Sequence, residues 1–220
     1  MHKNIDEEVM QAKDEILVLG SMVEQAMIDS VRALKNHDFE ASSRLIARDQ
    51  VINEKRFHIE GDVVAVIATR HPAARDLRIL TSILDMANDL ERMGDYAKGI
   101  ATINLRSGGL SLPRILHDLE YMAERAVDML HRSLTAFTDA DLAAAQHLIA
   151  EDNLIDSLYE QVYYEVMDFV VENPAHMERA NFALWTAHNI ERMADRVTNI
   201  CERTIFIVTG ELRPLTEMEK

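Results

Sequence analysis

Residues 91–95 read Glu-Arg-Met-Gly-Asp, and residues 191–195 read Glu-Arg-Met-Ala-Asp. The match extends upstream, where residues 87–90 read Ala-Asn-Asp-Leu and residues 187–190 read Ala-His-Asn-Ile. In each copy the Glu and the Asp stand one helical turn apart, which places both carboxylates on one face if the segment is helical. We therefore expect a tandem repeat that carries two related acidic sites.

The composition favours an all-helical protein. Of 220 residues, 48% are apolar, and only 7 are Gly and 4 are Pro. Residues with good helix propensity, such as Ala, Leu, Met, Glu and Arg, are abundant. A chain of this length and apolar content can bury a substantial core.

Helix breakers divide the chain into six segments. The strongest is Ser107-Gly108-Gly109, which is typical of a linker, and Ser111 and Pro113 after it are typical of a new helix. The breakers predict helices at 5–36, 38–69, 72–106, 111–137, 139–172 and 174–209. Long helices joined by short turns are antiparallel neighbours, so each half, 1–108 and 109–220, is expected to be an up-down-up three-helix bundle.

Charge and cysteine content restrict the function classes. The net charge of −15 argues against nucleic acid as a partner and suits capture of cations or docking on a basic protein surface. The single cysteine, Cys201, allows no intramolecular disulfide and fits a reducing cytosol. The acidic start at 1–8 is unlike a signal peptide, and the longest apolar run, 63–68, is too short to span a membrane. We expect a cytoplasmic protein that reaches the membrane only through protein partners.

Antiparallel hairpin geometry brings further acids to the level of each motif. Residues at equal distances from a turn lie at the same height on the two helices that it joins. In the first half the expected layer contains Glu24, Asp49, Asn53, Glu91 and Asp95. In the second half it contains Glu124, Asp152, Asp156, Glu191 and Asp195. The second layer is extended along the same helix face by His188, Asn199 and Glu202.

Such a layer needs a source of positive charge or solvent, because clustered carboxylates repel one another. Arg92, Arg192 and Arg196 are close in sequence and make ion pairing the competing interpretation. Oxygen-rich sites with little His and no Cys suit magnesium, manganese, iron(III) or calcium. The second layer has more potential ligands, because the first carries Asn88 and Gly99 at two of the equivalent positions.

Three function classes fit these features: a non-enzymatic metal-binding protein, a metal-free helical adaptor that docks partners on its acidic faces, and a di-metal enzyme. The enzyme is disfavoured, because the sequence lacks the paired Glu-x-x-His motifs of di-iron bundles and a Gly-rich phosphate loop. It also lacks a recognisable pairing of nucleophile and base. We therefore expect no catalytic residues.

Four stretches form a combined pattern: Asp49 with Ile52-Asn53-Glu54, and residues 71–78 (HPAARDLR), 89–95 (DLERMGD) and 189–200 (NIERMADRVTNI). In these motifs the chain resembles the PhoU family of phosphate-signalling regulators. It extends over nearly the whole chain. It implies two three-helix bundles and a soluble regulator. Such a regulator acts with the ATPase subunit of a phosphate ABC transporter and with a sensor histidine kinase, and it represses the phosphate-starvation response.

The resemblance also implies multinuclear metal clusters. The positions that match the family motif are Glu91, Asp95, Asp49, Glu191, Asp195, Asp152 and Asp156, to which the helix spacing adds His188 and Asn199. Iron, manganese or magnesium is the expected ion, with zinc as a further candidate, and a homodimer is the expected assembly. Two departures weaken the case for a fully occupied first site: Asn53 replaces an acid, and Lys98-Gly99 replaces Thr198-Asn199.

Overall fold

Six long α-helices make up the protein in a computed structural model that describes residues 4–110 and 112–211. The helices are α1 (Ile5–Lys35), α2 (Phe39–Arg70), α3 (Ala74–Ser107), α4 (Pro113–Asp139), α5 (Leu142–Glu172) and α6 (Met177–Thr209). A short 3-10 turn, Pro174–His176, precedes α6. The predicted all-α fold of two antiparallel three-helix bundles is confirmed. The predicted helix start at Ser111 lies outside the described residues.

Local side-chain chemistry explains where the helices begin. The Asp38 Oδ1 atom accepts a hydrogen bond from the Ala41 N–H at 2.8 Å, and in the second half Asp141 Oδ1 accepts one from the Ala144 N–H at 2.9 Å. Each bond satisfies one of the free N–H groups of the first turn of its helix, so α2 and α5 begin with the same N-cap. The α4 helix runs two residues beyond its predicted end at 137 because Asp141, and not Asp139, caps the next helix.

The two halves are arranged in the same way. In each half the three helices pack against one another, and the halves meet through α1 on α4 and α3 on α6. The α2 helix packs on α1 and α3, and α5 packs on α4 and α6, so these two helices flank the molecule. The acidic motifs lie on α3 and α6, the helices that contact both the flanking helix and the other half.

The α3 and α6 helices run antiparallel across the interface between the halves. Asp85 near the start of α3 lies beside Arg203 near the end of α6, with Asp85 Oδ2 and Arg203 Nε 3.3 Å apart. Further along, Tyr96 of α3 faces Arg192 of α6. Partner positions on α6 therefore fall as positions on α3 rise, which relates the two halves by a pseudo-twofold axis.

Buried methionines fix which face of each motif points outward. Met93 and Met193, in the middle of the two copies, are completely buried in the shared hydrophobic core. Burying a side chain of this size stabilises the fold by about 1.5–3 kcal/mol, which fixes the helix rotation. The Glu and the Asp on either side of each methionine are consequently directed toward the surface between α3 and α2, or between α6 and α5.

Within the described ranges, no helix is long and apolar enough to cross a membrane.

Candidate functional site

The second acidic face is the surface formed by Asp152 and Asp156 of α5 and Glu191 and Asp195 of α6. The two helices pack side by side, and Ile155, which lies between the two α5 acids, is completely buried. The α5 acids are therefore held at the α6 boundary, as hairpin geometry predicts.

Charge repulsion dominates the electrostatics of this face. Burial and the nearby carboxylates of Asp156, Asp195 and Glu191 together raise the pKa of Asp152 to about 6, and burial is the largest cause. The Asp152 Oδ1 atom is buried and has no hydrogen-bond partner. A buried carboxylate oxygen without a donor is costly, so this face is short of positive charge.

The pKa values of the two acids of the second motif, Glu191 and Asp195, are also raised. Burial and the neighbouring Asp195 raise the pKa of Glu191, while burial and Asp156 raise the pKa of Asp195. His188 lies where the spacing places it, with its Nδ1 atom 3.1 Å from Glu191 Oε2. An exposed imidazole at the edge of four carboxylates is a possible further metal ligand.

The arginines of the second motif region do not neutralise this face by direct pairing. The Arg192 guanidinium lies 4.8 Å from the centroid of the Tyr96 ring on α3. The Arg196 Nη1 atom donates a hydrogen bond to Asp89 Oδ1, also on α3, at 3.0 Å. Both arginines still lower the pKa of Asp195 through their charge, but their contacts join the two halves of the molecule.

Asn199 belongs to this contact between the halves. Its Nδ2 atom donates a hydrogen bond to Asp89 Oδ1 at 3.1 Å, which directs the amide toward α3 and not toward the acids of α5. In this structure the Asn199 amide group therefore contacts the other half of the molecule, and its role as a metal ligand stays a prediction. Asp89 itself was not among the expected site residues, although burial raises the pKa of its carboxyl.

The first acidic face is formed by Asp49 and Asn53 of α2 and Glu91 and Asp95 of α3. Its closest charged contact is an ion pair: the Lys98 Nζ atom lies 2.7 Å from Asp49 Oδ2 and 3.9 Å from Asp95 Oδ1. The hydrogen bond to buried Asp49 raises the pKa of Lys98 and keeps the ammonium charged.

Two further side chains contact the carboxylates of the first face. The Asn53 Nδ2 atom donates to Asp49 Oδ2 at 3.1 Å. The Arg92 guanidinium lies 3.7 Å from Glu91 Oε2 and 3.6 Å from Asp95 Oδ2, so the ion-pairing interpretation holds in this half. Lys98 was overlooked as a partner, although its position three residues after Asp95 places it close to that residue on the helix.

The two faces also differ at the end where Asn88 lies in the first half and His188 in the second. In the first half, Arg56 of α2 donates from Nε to Asn88 Oδ1 at 3.0 Å. In the second half, the position of Asn88 is taken by His188, whose ring lies 6.3 Å from the ring of Tyr159 on α5. The Arg56 guanidinium therefore lies at the end of the first face, and the His188 imidazole lies at the equivalent end of the second face.

One acid expected in these layers lies elsewhere. Glu24 was expected beside Asp49, but its Oε1 atom lies 3.4 Å from His131 Nδ1 on α4. Its neighbour Gln25 is among the α1 residues that line the cavity next to Asp49, whereas Glu24 is not. Glu124, the equivalent of Glu24, is exposed on α4. The predicted heights ignored rotation about the helix axis, and one residue along a helix is enough to reach another face.

The two faces fit a metal ion differently. The second offers four carboxylates, an imidazole and the unpaired Asp152 Oδ1 atom, which is the oxygen-rich chemistry that hard cations prefer. The first already holds an ammonium on its most buried carboxylate. Across residues 4–110 and 112–211, no group of three or more His, Cys, Asp or Glu side chains has a geometry ready to hold an ion. An ion at the second face would therefore have to draw its carboxylates together.

Neither face carries an activated nucleophile. The one cysteine, Cys201, is buried in the core, and burial raises the pKa of its thiol to about 12. A thiol with this pKa stays protonated and unreactive at neutral pH. The carboxylates of both faces have the chemistry to contact cations or basic groups.

Comparison with known proteins gives a consistent result. The family model described as the PhoU domain matches residues 16–103 and 119–204, one copy in each half. The phosphate-specific transport system accessory protein PhoU of Serratia marcescens is 33% identical over 93% of this chain and 84% of its own length. The protein of the same name from Escherichia coli K12 is 32% identical over 93% of this chain and 85% of its own length.

Solved structures agree with these sequence relatives. The crystal structure of the phosphate transport system regulatory protein PhoU from Streptococcus pneumoniae matches with a TM-score of 0.88 and 29% identity, covering 96% of this chain and 100% of that one. The PhoU structure from Pseudomonas aeruginosa also matches with a TM-score of 0.88, at 28% identity over 94% of this chain and 100% of its own.

Proposed function

The chain belongs to the PhoU family, and on that basis we propose that it is a regulator of phosphate uptake that represses the phosphate-starvation response when phosphate is plentiful. Its relatives are named as accessory proteins of a phosphate-specific transport system, which supports a regulatory role in phosphate transport. The proposed partners are the ATPase subunit of a phosphate ABC transporter and a sensor histidine kinase. The proposed site of action is the cytoplasmic side of the membrane, and the proposed assembly is a homodimer.

A regulator of this kind acts through its surfaces and needs no catalytic residues. Large apolar side chains are exposed on the flanking helices: Phe57 of α2 is 63% exposed, and Val171 of α5 is 79% exposed. Exposed apolar groups beside charged faces are typical of protein-docking surfaces. They support docking of partners on α2 and α5, the helices that also carry acids of the two faces.

The second acidic face is proposed to bind a metal ion, and one observation carries this proposal. The buried Asp152 Oδ1 atom has no hydrogen-bond donor, and three further carboxylates lie near it. A bound cation would neutralise this repulsion and tie α5 to α6. Manganese, iron or magnesium suits the carboxylates, and His188 also permits zinc.

The first acidic face favours a second function, the metal-free adaptor. Its carboxylates already have Lys98 and Arg92 as partners, so basic groups are what this face accepts. A basic partner surface can extend such a network of charges. This half is therefore the better candidate for docking that depends on salt concentration.

The regulatory role is tested in cells that lack this chain and carry a reporter of the phosphate-starvation response. Reintroduced wild-type protein should silence the reporter in phosphate-rich medium. A protein that folds and is expressed but leaves the reporter fully active would contradict the role.

The metal-binding role is tested by elemental analysis of protein purified without chelator. Wild type should retain metal, and Glu191→Gln with Asp195→Asn should lose it. The matched control is Glu178→Gln on the same helix, an exposed acid in its first turn that should change nothing. Wild-type protein that binds none of the candidate metals would contradict this role.

A further inference from the structure

We propose that Lys98 is a built-in counterion that takes the place of a metal on the first acidic face, so that the chain binds metal in its second half only. This inference rests on the proposed metal binding at the second face. It assigns different chemistry to the two halves of a duplicated protein. One half is neutralised by its own side chain, and the other by a bound ion.

The geometry of Asp49 carries the argument. This carboxylate is almost buried, with 7% of its side chain exposed, and its Oδ2 atom already has Lys98 Nζ at 2.7 Å and Asn53 Nδ2 at 3.1 Å. A metal ion that coordinates Oδ2 would have to displace the ammonium. Because two positive charges so close together repel strongly, the lysine and a divalent cation exclude each other.

Packing does not force Lys98 into this position. Its side chain is 40% exposed and lines a cavity of about 490 Å³ between α1, α2 and α3, which leaves it room to point elsewhere. Attraction to Asp49 and Asp95 therefore holds the ammonium in place. The pair also bridges α3 to α2, as a shared metal would.

The second half shows what the site looks like without the lysine. The equivalent of Lys98 is Thr198, whose Oγ1 atom donates to the backbone oxygen of Asp195 at 2.7 Å and brings no charge. The equivalent of Asn53 is Asp156. Both differences act in the same direction: the first face lacks a carboxylate and gains an ammonium, while the second keeps four carboxylates.

Exchanging these residues between the halves tests the inference. The first variant is Asn53→Asp with Lys98→Thr, made on a background of Glu191→Gln and Asp195→Asn that silences the second face. Isothermal titration with Mn²⁺ should show a new binding event that the background alone lacks. The second variant, Thr198→Lys in the otherwise natural chain, should weaken Mn²⁺ binding by roughly tenfold or more, as is usual for changes next to metal ligands.

Lys35→Thr is the matched control. It removes one positive charge from an exposed lysine that pairs with Glu120, away from both faces, and it should leave Mn²⁺ binding unchanged. Circular dichroism checks that each variant is folded. If Asn53→Asp with Lys98→Thr prevents folding, the Mn²⁺ affinity of the Thr198→Lys variant decides whether the inference holds.

The inference is overturned if Asn53→Asp with Lys98→Thr gains no Mn²⁺ binding, or if Thr198→Lys binds as tightly as wild type. Natural protein that binds Mn²⁺ equally at both faces also overturns it. A different result refutes the proposed metal-binding role at the second face: natural protein that binds none of the candidate metals. In that case Asn53→Asp with Lys98→Thr still tests the role of Lys98 as a counterion. A gain of Mn²⁺ binding supports that role, and no gain refutes it.

Discussion

The Arg192 guanidinium on α6 lies 4.8 Å from the centroid of the Tyr96 ring on α3, so a residue of the second motif contacts the first half of the molecule. Its counterpart Arg92 remains beside Glu91 and Asp95 on its own helix and is 61% exposed. The same motif therefore has two roles: its acids face outward in both halves, and its arginine joins the halves only in the second.

Arg192→Ala should consequently destabilise the fold more than Arg92→Ala. Because Arg192 is exposed, loss of its contact with the largely buried Tyr96 ring is expected to cost about 0.5–1 kcal/mol, whereas many exposed ion pairs such as that of Arg92 contribute close to ~0 kcal/mol. Urea unfolding of the two variants measures the difference. Equal losses would show that the contact between Arg192 and Tyr96 contributes little.

Asp89 should be the polar residue on which the interface between the halves depends most. It is buried, and its Oδ1 atom accepts from Arg196 at 3.0 Å and Asn199 at 3.1 Å. Asp89→Ala leaves a partly buried guanidinium without its carboxylate, which is expected to cost about 3 kcal/mol or more of unfolding free energy.

The matched control for Asp89 is Asp85→Ala, one turn earlier on α3. Asp85 pairs with Arg203 at 3.3 Å but is 47% exposed, so its loss should cost about 0–1 kcal/mol. Chemical denaturation compares the two. A small effect at Asp89 would mean that the halves are held together by apolar packing alone.

Metal-free protein should lose stability as the pH rises through the titration of Asp152. The pKa of this carboxyl is about 6 in the folded chain, above its ordinary value of 3.8, because burial and neighbouring acids disfavour the charged form. Between these values the folded chain keeps a proton that the unfolded chain releases, so stability falls as the pH rises from about 4 to above 6. For a half-buried group we expect a loss of about 1 kcal/mol.

Urea unfolding in the presence of a chelator, at several pH values across this window, measures that loss. Asp152→Asn should reduce the pH dependence, because the amide does not titrate. The assignment fails if both proteins show the same dependence. Added Mn²⁺ should reverse the trend for wild type, since metal binds the deprotonated carboxylate and gains affinity as the pH rises.

Gly20 and Gly61 should respond in opposite ways to alanine. A Cβ atom at Gly20 would overlap the Leu134 side chain, because α1 and α4 approach closely there, whereas a Cβ at Gly61 meets no atom within 4 Å. Gly20→Ala should cost about 1–3 kcal/mol. Gly61→Ala should stabilise α2 by about 0.5–1 kcal/mol. Thermal melting distinguishes the two, and a destabilising Gly61→Ala would contradict the open space assigned to that position.

The fold, and the height of each acidic face along its helices, could be predicted from the sequence because both follow from local rules. Short turns fix the register within a hairpin, so Asp152 could be placed level with Asp195 and Asp49 level with Glu91. Glu24 was misplaced because height alone does not fix the direction of a side chain around its helix. It faces His131 of α4, which belongs to the other half.

The contacts between halves were beyond this approach for a different reason. No turn joins α3 to α6, so nothing in the sequence fixes their register, and Asn199 could not be assigned to Asp89. Lys98 was recognised as a departure from the second half, but its role depends on how far a flexible side chain reaches across to α2. Only the structure shows that its ammonium lies on Asp49.

The unequal metal chemistry of the two halves is tested most directly by anomalous diffraction from crystals grown with Mn²⁺. We predict an anomalous peak among Asp152, Asp156, Glu191 and Asp195, and no peak at Asp49, where the Lys98 ammonium should be seen in its place. Peaks of equal height at both faces, or no peak at the second face, would contradict the account.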